Sequence, residues 1–201
     1  MLVKICGITT VEDGLAVANA GADMVGFVFA KSKRQVAPEQ ARAISTLLPP
    51  ELKKVGVFVN ESLEEVERVI EAVGLDYAQL HGQESPSYCE QLSVPVIKAF
   101  QIKTSADFAQ LDNYSCSYYL LDSPAGQYQG GNGESFDWKL AKHVTSNQHK
   151  IILAGGLNQE NVTTAIDIAD PVGVDVSSGV ETDGKKDHQK INAFIRKAKE
   201  R

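Results

Sequence analysis

Val3-Lys4-Ile5-Cys6-Gly7-Ile8-Thr9 is the stretch on which the reading of the fold turns. It is short, apolar and rich in β-branched residues, and it runs into a Thr-Thr pair that can cap a helix. This is the pattern of a buried strand passing through a loop into a helix. Its one reactive side chain, Cys6, falls near the strand's C-terminal end, which in an α/β barrel faces the active site. Taken alone, Cys6 is equally a small buried apolar residue, as most free cysteines are.

The same strand–loop–helix unit recurs along the chain. Thr10–Ala20 has helical spacing and stops at Gly21; strand-like segments follow at Asp23–Ala30, Lys54–Asn60, Tyr77–His81, Val94–Phe100, Ser117–Asp122, Lys150–Leu153 and Gly173–Ser177. Between them the periodicity predicts helices at Pro38–Leu48, Ser62–Val73, Ser87–Leu92, Ser105–Leu111, Phe136–Val144 and Asn161–Ile168, with a closing helix at Asp187–Lys199. The segment Ser123–Ser135, with Gly126, Gly130, Gly131 and Gly133, reads as a flexible lid. Strict β/α alternation implies a parallel sheet with helices outside. Eight units without a linker predict one domain over residues 1–201, a closed (β/α)8 TIM barrel. A doubly wound open sheet is the alternative, but Cys6-Gly7-Ile8-Thr9 is not the glycine fingerprint expected after its first strand.

Composition narrows the partners. A formal net charge of −6 argues against nucleic acid, whose phosphates need a basic face, but leaves room for a small anion held by local donors. No apolar run is long enough to span a membrane and no secretory signal opens the chain, so the cytoplasm is expected. The three cysteines, Cys6, Cys89 and Cys116, form no C-x-x-C or Cys/His cluster; reduced thiols and no metal are expected.

Reading each strand's last residues locates the chemistry. Gly155-Gly156 follow the seventh strand and Ser177-Ser178-Gly179 the eighth, the two loops that usually cradle phosphate in this fold; each is also a tight turn in its own right. Arg34, after the second strand, is either a solvated charge or a bidentate partner for a carboxylate. Asp122, ending the sixth strand, either caps a turn or acts as a general acid, kept protonated by burial under a closed lid. Cys6 is the candidate for the complementary general base. Strand alternation puts Lys4 on the face of Cys6 and Asp175 on that of Ser177, on strands that neighbour each other in a closed barrel. An interior Lys4–Asp175 ion pair follows, or one extended through Lys98. Gln79 and His81 share a face, and His81 either contacts substrate or is a hydrogen-bonded structural histidine. His143, His149 and His188 read as surface residues.

Together these residues resemble the phosphoribosylanthranilate isomerase family of tryptophan biosynthesis. The matching motifs are K-I-C-G-I-T at Lys4–Thr9, S-x-R at Ser32–Arg34, Q-L-H-G at Gln79–Gly82, L-D-S at Leu121–Ser123, G-G-x-G-x-x-F-D-W at Gly130–Trp138, L-A-G-G-L at Leu153–Leu157 and V-D-V-S-S-G-V-E at Val174–Glu181. The resemblance implies an Amadori rearrangement of N-(5-phosphoribosyl)anthranilate to the carboxyphenylamino-deoxyribulose phosphate. It implies that Asp122 protonates the furanose oxygen, Cys6 removes the C2′ proton, and Arg34 binds the anthranilate carboxylate. Gly155, Gly156, Ser177 and Ser178 would hold the phosphate, with Asp175 near the sugar hydroxyls. No cofactor is implied, and a monomer or homodimer is expected. Lys33, where the family often has proline, implies a looser Arg34 loop, and Asn132 replaces a frequent threonine. The rivals are another phosphosugar barrel (an epimerase or an indole-forming lyase) and a catalytically silent phosphate-binding barrel, which has no need of both Cys6 and Asp122.

Overall fold

The computed structural model describes residues 1–123, 138–145 and 149–200. Strands β1 (Leu2–Cys6), β2 (Met24–Val28), β3 (Lys53–Phe58), β4 (Tyr77–Leu80), β5 (Val96–Gln101), β6 (Tyr118–Asp122), β7 (Ile151–Leu153) and β8 (Gly173–Val176) pair in chain order. β8 returns to β1 in parallel, with Leu2 to Ile5 opposite Gly173 to Val176, and closes the barrel. That ladder rules out the open sheet. The glycine-rich segment from Pro124 to Ser135, and with it the expected lid, Asn132 and most of the Gly130–Trp138 motif, lies outside the described residues.

Helices α1 (Val11–Asn19), α2 (Pro38–Ser45), α3 (Leu63–Val73), α4 (Pro86–Cys89), α5 (Lys139–Thr145), α6 (Val162–Ala169) and α7 (His188–Lys199) lie between and after the strands, and side-chain caps open α1, α3, α4 and α7. Thr10 Oγ1 accepts the Asp13 N–H at 3.1 Å, and Ser62 Oγ accepts that of Glu65 at 3.3 Å. Pro38 takes the first turn of α2. Gly74 ends α3 at φ 71°, a left-handed position that suits glycine. The brief helix expected between β5 and β6 is a 3-10 run, Ser105–Asn113. Among the described residues no helix is long and apolar enough to cross a membrane.

Two apolar clusters follow from strand alternation. The larger lies between sheet and helices: Val3, Ile5, Phe27, Leu80, Leu121, Leu153 and Val174 meet the buried stripes of the helices, such as Val66, Val69 and Ile70 of α3, and half-buried Trp138 packs against it. The smaller fills the barrel with Met24, Val55, Ile97, Leu120 and Ile152.

One element had no counterpart in the sequence reading. After a single 3-10 turn at Ser178–Val180, β9 (Glu181–Thr182) and β10 (Lys185–Lys186) form an antiparallel hairpin. Its turn is Asp183-Gly184, at φ 51° and 75°, the positive angles that a two-residue hairpin turn matched to strand twist requires.

Candidate active site

Inward positions change character along the strands. They run Leu2, Lys4, Cys6 on β1; Tyr77, Gln79 on β4, with His81 just beyond; Tyr118, Leu120, Asp122 on β6; and Gly173, Asp175 on β8. Apolar at the N-terminal end and polar at the other, they make the C-terminal mouth the chemically equipped face. Polar groups buried this deeply need partners.

Lys4 finds one in Asp175: Nζ donates to Oδ1 at 2.9 Å, with the lysine side chain 1% exposed. The expected interior pair is present. Its extension through Lys98 is not. Lys98 sits opposite Leu80 and Tyr119, both of the outer cluster, so alternation turns it away from the barrel interior. It pairs there with Glu84 at 3.2 Å and donates to the Leu80 and Gly82 carbonyls.

Cys6 is buried beside Lys4, and neither would fit against a larger neighbour. A Cβ on Gly26 of β2 would lie 2.8 Å from Cys6 Sγ and 3.1 Å from Lys4 Nζ. Burial pushes the thiol up from its ordinary value; the ammonium groups of Lys4 and Lys186 oppose it, Asp175 adds to it, and the net direction is upward. For Lys4, burial favours the neutral amine, but Asp175 and Cys6 outweigh it and the ammonium is held more firmly than usual.

Asp122 ends β6 with Oδ1 accepting from Ser123 N–H at 2.8 Å. His81 Nε2 stands 3.2 Å from Asp122 Oδ2, near enough for an ion pair but out of line for a hydrogen bond. Gln79 Nε2 lies 3.1 Å from His81 Nδ1. Donor and acceptor roles in this contact are set by the tautomer of the ring.

Loop seven adjoins Asp122, and loop eight packs on loop seven. Gly155 and Gly156 both have positive φ, 80° and 63°. A Cβ at Gly155 would fall 2.7 Å from Ser123 N and 3.0 Å from Asp122 Oδ1. A Cβ at Gly179 would run into the Leu157 carbonyl, so glycine lets the two loops touch. Ser177 Oγ donates to the Cys6 carbonyl at 3.1 Å, and Ser178 opens the single 3-10 turn.

Arg34 is neither solvated nor loose. Its Nε and Nη2 donate to Glu181 Oε1 and Oε2 at 2.6 and 2.9 Å, its own N–H bonds Ser32 Oγ, and it is 9% exposed. Lys186 Nζ binds the same carboxylate at 2.8 Å and the Ser177 carbonyl at 2.9 Å. Burial would raise the Glu181 carboxyl, but the hydrogen bonds and charges of Arg34 and Lys186 prevail and hold it below the usual range. Burial also depresses Lys186, despite Glu181.

Glu181 enters the sequence analysis only as the end of a motif, with no role, and Lys186 not at all. The Asp183-Gly184 dipeptide between short polar arms was the signal that would have folded them back over the mouth. His149 and His188, expected at the surface, are half-buried and pair with Asp112 at 3.0 Å and Asp13 at 2.9 Å. The side chain of His143 lies outside the described residues.

The barrel and its residues have known relatives. The N-(5'-phosphoribosyl)anthranilate isomerase of Listeria welshimeri is 50% identical over 199 residues, 99% of this chain and 98% of that protein. The enzyme of that name from Oceanobacillus iheyensis is 51% identical over 97% of this chain and 95% of its own length. The crystal structure of phosphoribosyl anthranilate isomerase from Thermotoga maritima superposes with a TM-score of 0.93 at 46% identity, covering 100% of this chain and 99% of that one. A further structure of such an isomerase, in complex with reduced 1-(o-carboxyphenylamino)-1-deoxyribulose 5-phosphate, gives 0.90 at 45% identity and covers the same shares. The sequence model of N-(5'phosphoribosyl)anthranilate (PRA) isomerase matches residues 3–197, and the chain belongs to this family of isomerases of tryptophan biosynthesis.

Proposed function

We propose that the chain isomerises N-(5-phosphoribosyl)anthranilate by general acid–base catalysis, with Asp122 as acid and Cys6 as base. The observation that carries this is their shared address: both are buried and inward at the C-terminal mouth, on strands three apart around the ring. Asp122 gives a proton to the furanose oxygen, and the ring opens to an iminium between C1′ and the substrate's own nitrogen. The Cys6 thiolate takes the C2′ proton and leaves an enolamine. Its enol proton is lost as C1′ gains one, giving the ketone. The substrate is neither oxidised nor reduced overall; the enzyme ends with a carboxylate and a thiol, and resets by proton exchange with water. No cofactor is called for.

The remaining roles follow the ligand's charges. The backbone of Gly155 and Gly156 with Ser177 and Ser178 is suited to phosphate, and Arg34 to the anthranilate carboxylate. Asp175 Oδ2 and His81 border the sugar. A related isomerase holds a reduced carboxyphenylamino-deoxyribulose phosphate, which supports the same ligand class here. Every residue assigned comes from one barrel, so monomer and homodimer each hold complete sites. We assign the enzyme to the cytoplasm with its pathway.

Complementation of a tryptophan auxotroph lacking this step tests the activity, and growth is expected. Cys6→Ala and Asp122→Ala should each lower kcat by about 10²–10⁴-fold or more. Near-normal turnover in either variant removes that residue from the mechanism.

A further inference from the structure

We propose that Lys4 is a positioning residue for the isomerisation: fixed by Asp175 and sharing the Gly26 recess with Cys6, it is the counter-charge that receives the Cys6 thiolate. This rests on the reading of Cys6 as the base.

The geometry argues for a dedicated device. A lysine 1% exposed inside a barrel is a costly way to fill space, because the ammonium must be matched. Asp175 matches it, leaving the resting interior neutral with a protonated thiol. Ionising Cys6 then adds one negative charge, and Lys4 is the cation beside it in the Gly26 recess. Gly26 makes room for the approach, since a single extra carbon there would touch both Sγ and Nζ.

The elements around the thiol bring few charges to it. β1 brings Lys4; β8 brings Asp175, bonded to Nζ; β2 brings Gly26 and no charge. The hairpin brings Lys186, already committed to Glu181 and the Ser177 carbonyl, with Arg34 behind it on the same carboxylate. Asp122 and His81 stand across the mouth. Lys4 is therefore the cation whose loss the thiolate would feel most. In turnover it stays an ammonium throughout: Cys6 loses its proton to water, the thiolate collects the C2′ proton, and the Lys4–Asp175 bond is unchanged.

Two substitutions pull the thiol in opposite directions, which a merely structural role would not do. In a Cys89→Ala, Cys116→Ala background, so that Cys6 is the thiol observed, the pH dependence of iodoacetamide alkylation reports its ionisation. Lys4→Met should raise the alkylation midpoint by about one pH unit or more, slowing labelling about tenfold at neutral pH. The matching kcat/KM loss should shrink at alkaline pH. Asp175→Asn, nearly isosteric, should lower the midpoint by unmasking Lys4. An unchanged midpoint in folded Lys4→Met overturns the proposal; so, if that variant does not fold, does an unchanged or raised midpoint in Asp175→Asn. Turnover surviving in Cys6→Ala would instead overturn the base assignment, leaving the alkylation results standing as a separate matter.

Discussion

The guanidinium of Arg34 has two usable edges. Glu181 occupies the Nε–Nη2 edge, and the Nη1 side is not used by that carboxylate. A substrate carboxylate can therefore dock on an arginine whose plane is already fixed, losing less side-chain freedom than with a solvated one. Arg34→Ala should raise KM at least about tenfold with a smaller change in kcat, measured by steady-state kinetics; an unchanged KM contradicts the assignment. Glu181 also ties this site to pH. Its folded carboxyl is depressed below the ordinary 4.5, so its contribution is complete above that value and is lost as pH falls through the folded value. Denaturant unfolding of Glu181→Gln should accordingly show a shallower loss of stability below about pH 4.5 than the parent. Cys6, Asp122 and the Lys4–Asp175 pair were legible because parity along a strand and its position in the ring fix direction without any knowledge of contacts. The Arg34–Glu181 bond, 147 residues apart in sequence, has no such rule to reveal it.

At the level of elements, the regular units announced themselves through caps and periodicity, while the hairpin of β9 and β10 was too short to show either. Two residues per arm give no alternation to read, and only the Asp-Gly turn speaks for it. The contact of loops seven and eight was likewise hidden, because it depends on what Gly179 lacks. Gly179→Ala should push the Leu157 carbonyl away and spread the two loops proposed to hold the phosphate. The expected result is a several-fold higher KM and a weaker inhibition by inorganic phosphate, with kcat less affected; phosphate inhibition at its original strength would show that these loops do not hold the anion.

For the whole molecule, the outer apolar cluster holds most of the buried apolar residues among those described, and α7 packs beside β1. Phe194, fully buried on α7, should cost about 3–5 kcal/mol of unfolding free energy when replaced by alanine, measured by chemical denaturation. Such a loss leaves the mouth's own residues untouched, so kcat should hold at temperatures where the variant remains folded.

The Lys4–Asp175 bond joins residues 171 positions apart, and Cys6 and Asp122 likewise come from different halves of the polypeptide. A backbone cut near the exposed stretch at Glu90-Gln91 would assign thiol, lysine, arginine and histidine to one fragment. The carboxylic acid, the glycine turns and Asp175 would go to the other. Neither piece alone would own a working proton circuit, and turnover would return only when the two reassociate. Each piece fused to one member of an interacting pair would make a reporter, with growth without added tryptophan as the signal.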